Sequence, residues 1–280
     1  MTDQISSQSA VGILDSGVGG LTVVKEVFRQ LPKERVLYFG DTLRCPYGPR
    51  TPEEVRRFTL EIVRYLSLYP LKALVIACNT ATAAALEEVR RNVSVPVLGV
   101  IEPGARAAIT LSSHGRVGVI GTEGTIRSSA YERALKQIDP DLYVVSHSCP
   151  TLVPLVESGG EDTPQARQIV RLALSPLKKH RLDSLILGCT HYPLISGLIG
   201  REMGSGVTLI SSAEETAREL SAVLHHKGLL YEGPARQPHD HLFFTSGRPE
   251  AFRSIAENWL AQRVSVEPVV LPALEESPVG

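Results

Sequence analysis

The sequence predicts an α/β protein of two pseudo-symmetric domains, each a mostly parallel sheet flanked by helices, with a ligand cleft between them. Three observations predict it. Short apolar runs of strand character alternate with helix-like segments along most of the chain. The pattern restarts near the middle. Two stretches, Leu74-Val75-Ile76-Ala77-Cys78-Asn79-Thr80-Ala81-Thr82 and Leu185-Ile186-Leu187-Gly188-Cys189-Thr190-His191-Tyr192-Pro193, look like copies of one another. The first strands of the two halves are offset by 106 residues and the cysteines by 111; Cys78 to Glu102 is 24 residues and Cys189 to Glu214 is 25. Such recurrence argues for two related halves.

The elements follow in order. Val11–Leu14 reads as a buried strand, Asp15-Ser16-Gly17-Val18-Gly19-Gly20 as a turn, and about Leu21–Leu31 as a helix that Pro32 ends. Val36–Phe39 is the second strand. The turn-rich Thr42–Arg50 loop follows, with Cys45, Pro46, Tyr47 and Gly48 at its centre. Thr51-Pro52-Glu53-Glu54 opens a helix to about Leu68: threonine as cap, proline at the first position, acids in the first turn. Leu74–Ala77, a helix from Ala81 to Arg91, the Pro96–Ile101 strand and a helix from Ala105 to Leu111 complete the first set. Then Val117–Ile120 mirrors Val11–Leu14, and Gly121-Thr122-Glu123-Gly124 stands where Asp15-Ser16-Gly17-Val18 stood. Strands at Leu142–Ser146, Leu185–Leu187 and Val207–Ser211, the Leu152–Glu157 segment, a helix at about Pro164–Lys179 and a helix starting near Glu214 complete the second set. A last strand, Leu242–Ser246, and a helix, Pro249–Leu260, return to the first sheet. Residues 1–103 and 215–265 are assigned to the first domain, 104–214 to the second, and 266–280, rich in proline and glutamate, to a mobile tail. The first ten residues are expected to be frayed.

With 43% hydrophobic and 21% charged residues, and 29 basic against 30 acidic side chains, the chain has the composition of an ordinary globular protein. No clustered basic surface points to nucleic acid. Arg56-Arg57 and Lys178-Lys179-His180-Arg181 read as solvated helix faces and ends. No apolar run approaches the roughly 20 residues of a membrane span, and residues 1–10 lack the basic start and apolar stretch of a signal peptide. The four cysteines, Cys45, Cys78, Cys149 and Cys189, have no metal-finger spacing, and a cytoplasmic setting would keep them reduced. His239-Asp240-His241 has no partner motif and reads as loop, so no metal is expected. The glycine turn is neither G-x-G-x-x-G nor a P-loop, and Asp15 would repel a phosphate.

Each repeated cysteine falls at a strand's carboxyl end, the edge where open α/β sheets bind ligands. Two thiols facing one ligand atom from opposite sides can invert a tetrahedral carbon: one removes a proton, the other returns one to the far face. The reverse reaction needs the same groups with exchanged roles, which suits a pseudo-symmetric site. A thiol titrates near about 8.5, and a place before a helix N-terminus should favour thiolate. Neither motif carries a lysine for a Schiff base, so no cofactor is expected. Ser16, Asn79, Thr80 and Thr190 can hold carboxylates; Asp15 could serve Cys78 or a substrate ammonium, and His191 and Glu157 could serve Cys189.

Asp15–Gly20, Pro46-Tyr47-Gly48, Ala77–Thr82 and Gly188–Pro193 together resemble the signature segments of the glutamate racemase family, and the resemblance runs from about Val11 to Leu260. It implies a cofactor-independent interconversion of L- and D-glutamate that supplies D-glutamate for bacterial peptidoglycan, in a cytoplasmic enzyme acting as a homodimer. Cys78 and Cys189 match the family's two catalytic bases. Asp15, Ser16, Pro46, Tyr47, Gly48, Asn79, Thr80, Thr190 and His191 match its substrate-contacting positions, and Asp15 and His191 are also catalytic candidates. Glu157 matches an acid near the second cysteine and His191. Cys45 is a departure, a thiol in the loop before Pro46; it and Cys149 read as structural or incidental, and Glu102 and Glu214 as helix starts. Two alternatives stay open: an aspartate racemase, which shares the layout, and a two-lobed amino-acid-binding protein.

Overall fold

The computed structural model describes residues 5–159 and 162–272. The chain builds two wholly parallel sheets. The first contains β1 (Ala10–Asp15), β2 (Val36–Gly40), β3 (Leu71–Ile76), β4 (Val97–Gly99), β9 (Leu242–Thr245) and β10 (Val266–Pro268), in the order β10-β9-β2-β1-β3-β4. The second contains β5 (Arg116–Gly121), β6 (Tyr143–Ser148), β7 (Ser184–Gly188) and β8 (Thr208–Ser211), in the order β6-β5-β7-β8. The core of each sheet repeats one connection. The second strand lies on one side of the first and the third on the other, so β1/β3 and β5/β7 are switch points where the crossovers leave in opposite directions. Loops diverge there and leave a crevice. Cys78 follows β3 and Cys189 follows β7, the same address in both sheets.

Burial explains the strand choice. β1, β2, β3 and β7 are buried along their whole length, as parallel strands covered on both faces should be. Helices Leu21–Gln30 and Ser212–His226 cover one face of the first sheet; Val23, Val24, Val27, Ala213, Ala217 and Leu220 join one core with Ile13 and Val75. Helices Pro52–Leu66 and Asn79–Asn92 cover the other face. Thr51 caps its helix in a reciprocal capping box with Glu54, as the sequence suggests.

Several elements differ from expectation. β3 starts at Leu71, because Lys72 is fully buried and paired with Glu34 while donating to the Ser7 carbonyl at 2.7 Å and that of Leu229 at 2.8 Å. A lysine inside a strand masks its apolar pattern. The same bond holds Ser7, and buried Ala10 opens β1, so the frayed N-terminus is corrected for these residues; residues 1–4 lie outside the described ones. The tail assignment is corrected too. Val266–Pro268 forms β10 beside β9, Val264 and Val266 are buried, and Val269 and Leu271 pack on the core. The apolar alternation of Val264 and Val266 outweighs the local composition, and Pro268 is tolerated on an edge strand; residues 273–280 lie outside the described ones. The sequence reading missed helices Glu123–Arg127 and Ala130–Ile138. Glu102 and Glu214 sit in first turns of helices, paired with Arg90 and with Arg29.

Candidate active site

The carboxyl ends of the two sheets face each other. Ser16, Cys45, Pro46, Tyr47, Gly48, Cys78, Asn79, Thr80, Thr122, Val153, Cys189, Thr190 and His191 enclose a cavity of about 30 Å³. That is room for one or two waters. It adjoins an outer cleft of about 730 Å³, largely apolar, with which it shares Cys45, Pro46, Gly48, Thr122 and Val153. The structure thus gathers Ser16, Pro46, Tyr47, Gly48, Asn79, Thr80, Thr190, His191 and both repeated cysteines on one wall system.

Cys78 is 6% exposed and caps helix Asn79–Asn92, its Sγ accepting from the Ala81 N–H at 3.4 Å. Burial and the charge of Asp15 push its thiol up to about 12, against the pull of that N–H and of Ser16. Helix placement had suggested the opposite direction; a single weak N–H contact does not offset desolvation. Asp15 is buried beside Cys78 behind the wall. One carboxylate oxygen accepts from the Gly17 N–H at 2.9 Å, and the other has no hydrogen-bond partner among the described residues. Burial raises the Asp15 carboxyl, while His191 and the backbone N–H groups of the glycine turn draw it back.

Cys189 is 5% exposed and is followed by a 3-10 turn, Tyr192–Ile195, instead of an α-helix N-terminus. Its neighbour is His191, whose Nδ1 lies 3.8 Å from Sγ and whose Nε2 lies 3.3 Å from Glu157 Oε1. Burial opposes the charged ring, but the Cys189 sulfur, Glu157 and Asp15 outweigh it and push His191 up to about 10. Glu157 ends helix Leu152–Glu157 and reaches His191 from the outer cleft, its side chain 44% exposed. Thiol, imidazole and carboxylate therefore form a line from cavity to solvent.

The glycine turn serves this meeting of lobes. A Cβ on Gly19 would stand 2.3 Å from Thr190 Oγ1 and 2.6 Å from the His191 ring. Thr22 Oγ1 donates to the Thr190 carbonyl at 2.9 Å, and Tyr38 OH donates to the Gly17 carbonyl at 2.8 Å. Further contacts cross the cleft. The Gly124 N–H donates to the Gly48 carbonyl at 2.9 Å, and Thr80 Oγ1 lies 2.8 Å from Thr122 Oγ1 and 3.2 Å from Thr125 Oγ1. The Tyr47 hydroxyl is committed elsewhere: it donates to Asp41, which also binds Arg44 and Ser246. Thr122 and Val153 were missed in the sequence. For Thr122 the signal existed, since the 106-residue offset of the two halves carries Ser16 onto it. Cys45 borders both spaces, where burial and surrounding acids raise its thiol. Cys149 is buried in the second core. His241 accepts from the Val36 N–H at 3.2 Å, and among the described residues no group of three or more His, Cys, Asp or Glu could hold a metal. No helix among the described residues is long and apolar enough to cross a membrane.

Residues 11–220 match the model of the Asp/Glu/Hydantoin racemase family. A curated glutamate racemase of Bacillus cereus is 52% identical over 255 residues, 91% of this chain and 94% of that protein. The crystal structure of glutamate racemase isoform RacE1 from Bacillus anthracis is 54% identical, with a TM-score of 0.92 over 96% of this chain and 100% of that one. The glutamate racemase from Francisella tularensis, solved in complex with D-glutamate, is 32% identical, with a TM-score of 0.88 over 96% of this chain and 100% of that one. By both measures the chain belongs to the Asp/Glu/Hydantoin racemase family, with the glutamate racemases, and is an isomerase.

Proposed function

We propose that Cys78 and Cys189 interconvert L- and D-glutamate without a cofactor, by removing the α-proton on one face and returning a proton on the other. The observation that carries the reading is that both thiols, from equivalent strand ends of two sheets, line one enclosed cavity. In either direction one sulfur, as thiolate, takes the proton and leaves its electron pair on Cα. The other, as thiol, gives its proton to the opposite face. One C–H bond breaks, one forms, and the two sulfurs have exchanged protonation states.

An α-proton is far less acidic than a thiol, so the site must stabilise the developing charge with fixed donors in a dry space. The wall offers Ser16, Asn79, Thr80, Thr122 and Thr190, with no lysine or arginine among its residues. His191, protonated below about 10, supplies the positive charge and can give a proton to Cys189 or take it back. The first turn of helix Asn79–Asn92 adds its positive end, which suits a carboxylate. Asp15, behind the wall, acts on the substrate ammonium and Cys78 through its charge, and Glu157 holds the outer edge of His191. Pro46, Tyr47 and Gly48 shape the wall opposite, through backbone and ring. A cavity of about 30 Å³ does not admit glutamate, so the lobes must part along the cleft for exchange.

The bound D-glutamate of the Francisella relative favours this ligand over aspartate. The family resemblance further supports a cytoplasmic homodimer that feeds D-glutamate to peptidoglycan synthesis, with one domain built on the first sheet, including β10 and helix Ser212–His226, and the other on β5 to β8. The test is circular dichroism and α-proton exchange in deuterated water with purified protein, offering glutamate and aspartate. Racemisation of glutamate with uptake of solvent deuterium is the expected result. Faster turnover of aspartate would transfer the reading to that substrate, and tight glutamate binding without exchange would leave a binding protein.

A further inference from the structure

Tyr131 lies outside the cavity wall, yet it touches both thiol-bearing segments. It is 2% exposed on helix Ala130–Ile138 of the second lobe. Its ring rests against Gly188, the residue before Cys189; a Cβ there would stand 3.0 Å from Tyr131 Cε2. Its hydroxyl crosses to the first lobe and donates to Asn79 Oδ1 at 2.7 Å. Asn79, the residue after Cys78, is 2% exposed and lines the cavity. Its Nδ2 is buried with no hydrogen-bond partner among the described residues.

An asparagine amide has a donor end and an acceptor end, and a half-turn about its last torsion exchanges them. A carboxylate only accepts. The amide recognises a carboxylate in one of its two orientations and repels it in the other. Burial raises the Tyr131 phenol, so it stays protonated, with the Ser212 hydroxyl beside it as an opposing influence. A phenol whose proton points at Oδ1 leaves Nδ2 for the cavity.

We propose that Tyr131 is a positioning residue: its hydroxyl locks the Asn79 amide with Nδ2 facing a substrate carboxylate, and does so only when the second lobe has closed on the first. The proposal rests on the glutamate reading above. Recognition is thereby coupled to closure, since the donor is fixed by the lobe that moves. The lock acts on binding of both enantiomers and not on proton transfer, so it changes KM more than kcat.

The experiment is a double-mutant cycle of Tyr131→Phe and Asn79→Ala, reading KM and kcat for L- and D-glutamate, with thermal midpoints recorded. Tyr131→Phe is expected to raise KM about tenfold for both enantiomers, with kcat within about threefold, the size of one lost hydrogen bond to a charged group. On the Asn79→Ala background the same change is expected to leave KM where it is. Asn79→Asp, which keeps the acceptor for Tyr131 and removes the donor, is expected to raise KM at least as much as Asn79→Ala. An unchanged KM in Tyr131→Phe, or an equal rise on both backgrounds, would overturn the lock while leaving the racemase standing. Wild-type protein that neither binds nor racemises glutamate would overturn the functional reading and the lock together.

Discussion

Cys78 and Cys189 each follow the third strand of a parallel sheet whose central order is second-first-third-fourth, but the atoms around the two sulfurs differ. Cys78 is a helix cap, held by the Ala81 N–H and Ser16, with buried Asp15 behind it. Cys189 has no helix behind it and leans on His191, which Glu157 meets from the cleft. The first sulfur sits among a fixed dipole and a sequestered carboxylate, the second beside a buried imidazole that an exposed carboxylate joins to the cleft. Topology is duplicated while the surroundings of the two sulfurs are not. On the proposed two-thiol reading, the difference teaches that a reaction symmetrical in its product does not require symmetrical chemistry at its two bases.

Removing one sulfur at a time has the largest expected effect. Cys78→Ala and Cys189→Ala should each lower racemisation by about 10²- to 10⁴-fold, the usual range for losing a proton-transfer group. Each variant should still exchange the α-proton of one enantiomer with deuterated water, and the two should retain opposite enantiomers. Proton NMR of both variants with both enantiomers checks this. Equal exchange of both enantiomers by either variant would break the assignment of one thiol to each face.

His191→Asn should cost about 10²-fold, because on the proposed reading it removes a proton carrier from one side only. His191 is raised to about 10 from about 6.5, so its charged form is favoured in the folded chain. Its contribution to stability is therefore complete below about 6.5, declines as pH rises, and is gone above about 10. Wild-type thermal midpoints should fall over that window, and the His191→Asn midpoint should fall less. The alkaline limb of the rate profile should move in the variant, whereas a Cys78 variant should keep the His191-dependent stability loss.

Gly19→Ala tests how closely the lobes must meet. The added Cβ would press on Thr190 and His191, costing about 1–3 kcal/mol of packing strain. Calorimetry should show the loss, and the rate should drop about tenfold through displacement of the Cys189 side. A variant with full rate and stability would mean the two motifs need not approach so closely.

The fold and the thiol pair were legible because burial on both faces writes itself as apolar runs, and because the repeat fixes where each run ends. The glycine turn was visible, but its reason was not: Gly19 is small for the sake of Thr190 and His191, more than 170 residues away in the chain. Tyr131 and Thr122 could not be found from local pattern, since each acts across the cleft; only the offset from Ser16 pointed to Thr122. The direction of the Cys78 shift was misread because sequence shows a helix start and does not show desolvation.

Glu157 gives the smallest expected effect and the sharpest test of the asymmetry. Its side chain is 44% exposed and its contact with His191 is 3.3 Å. Water competes for the exposed carboxylate, though not for the buried imidazole nitrogen it meets, so the pair contributes modestly, and Glu157→Gln should lower the rate only about threefold. The variant removes one of the influences that hold His191 high and leaves Cys189 and Asp15 in place. The His191-dependent alkaline limb should therefore shift to lower pH without disappearing, and the Cys78-side exchange should stay as it was. A loss as large as that of His191→Asn would show that the carboxylate takes part in proton transfer, and that Cys189 is served by a three-member relay instead of a lone imidazole.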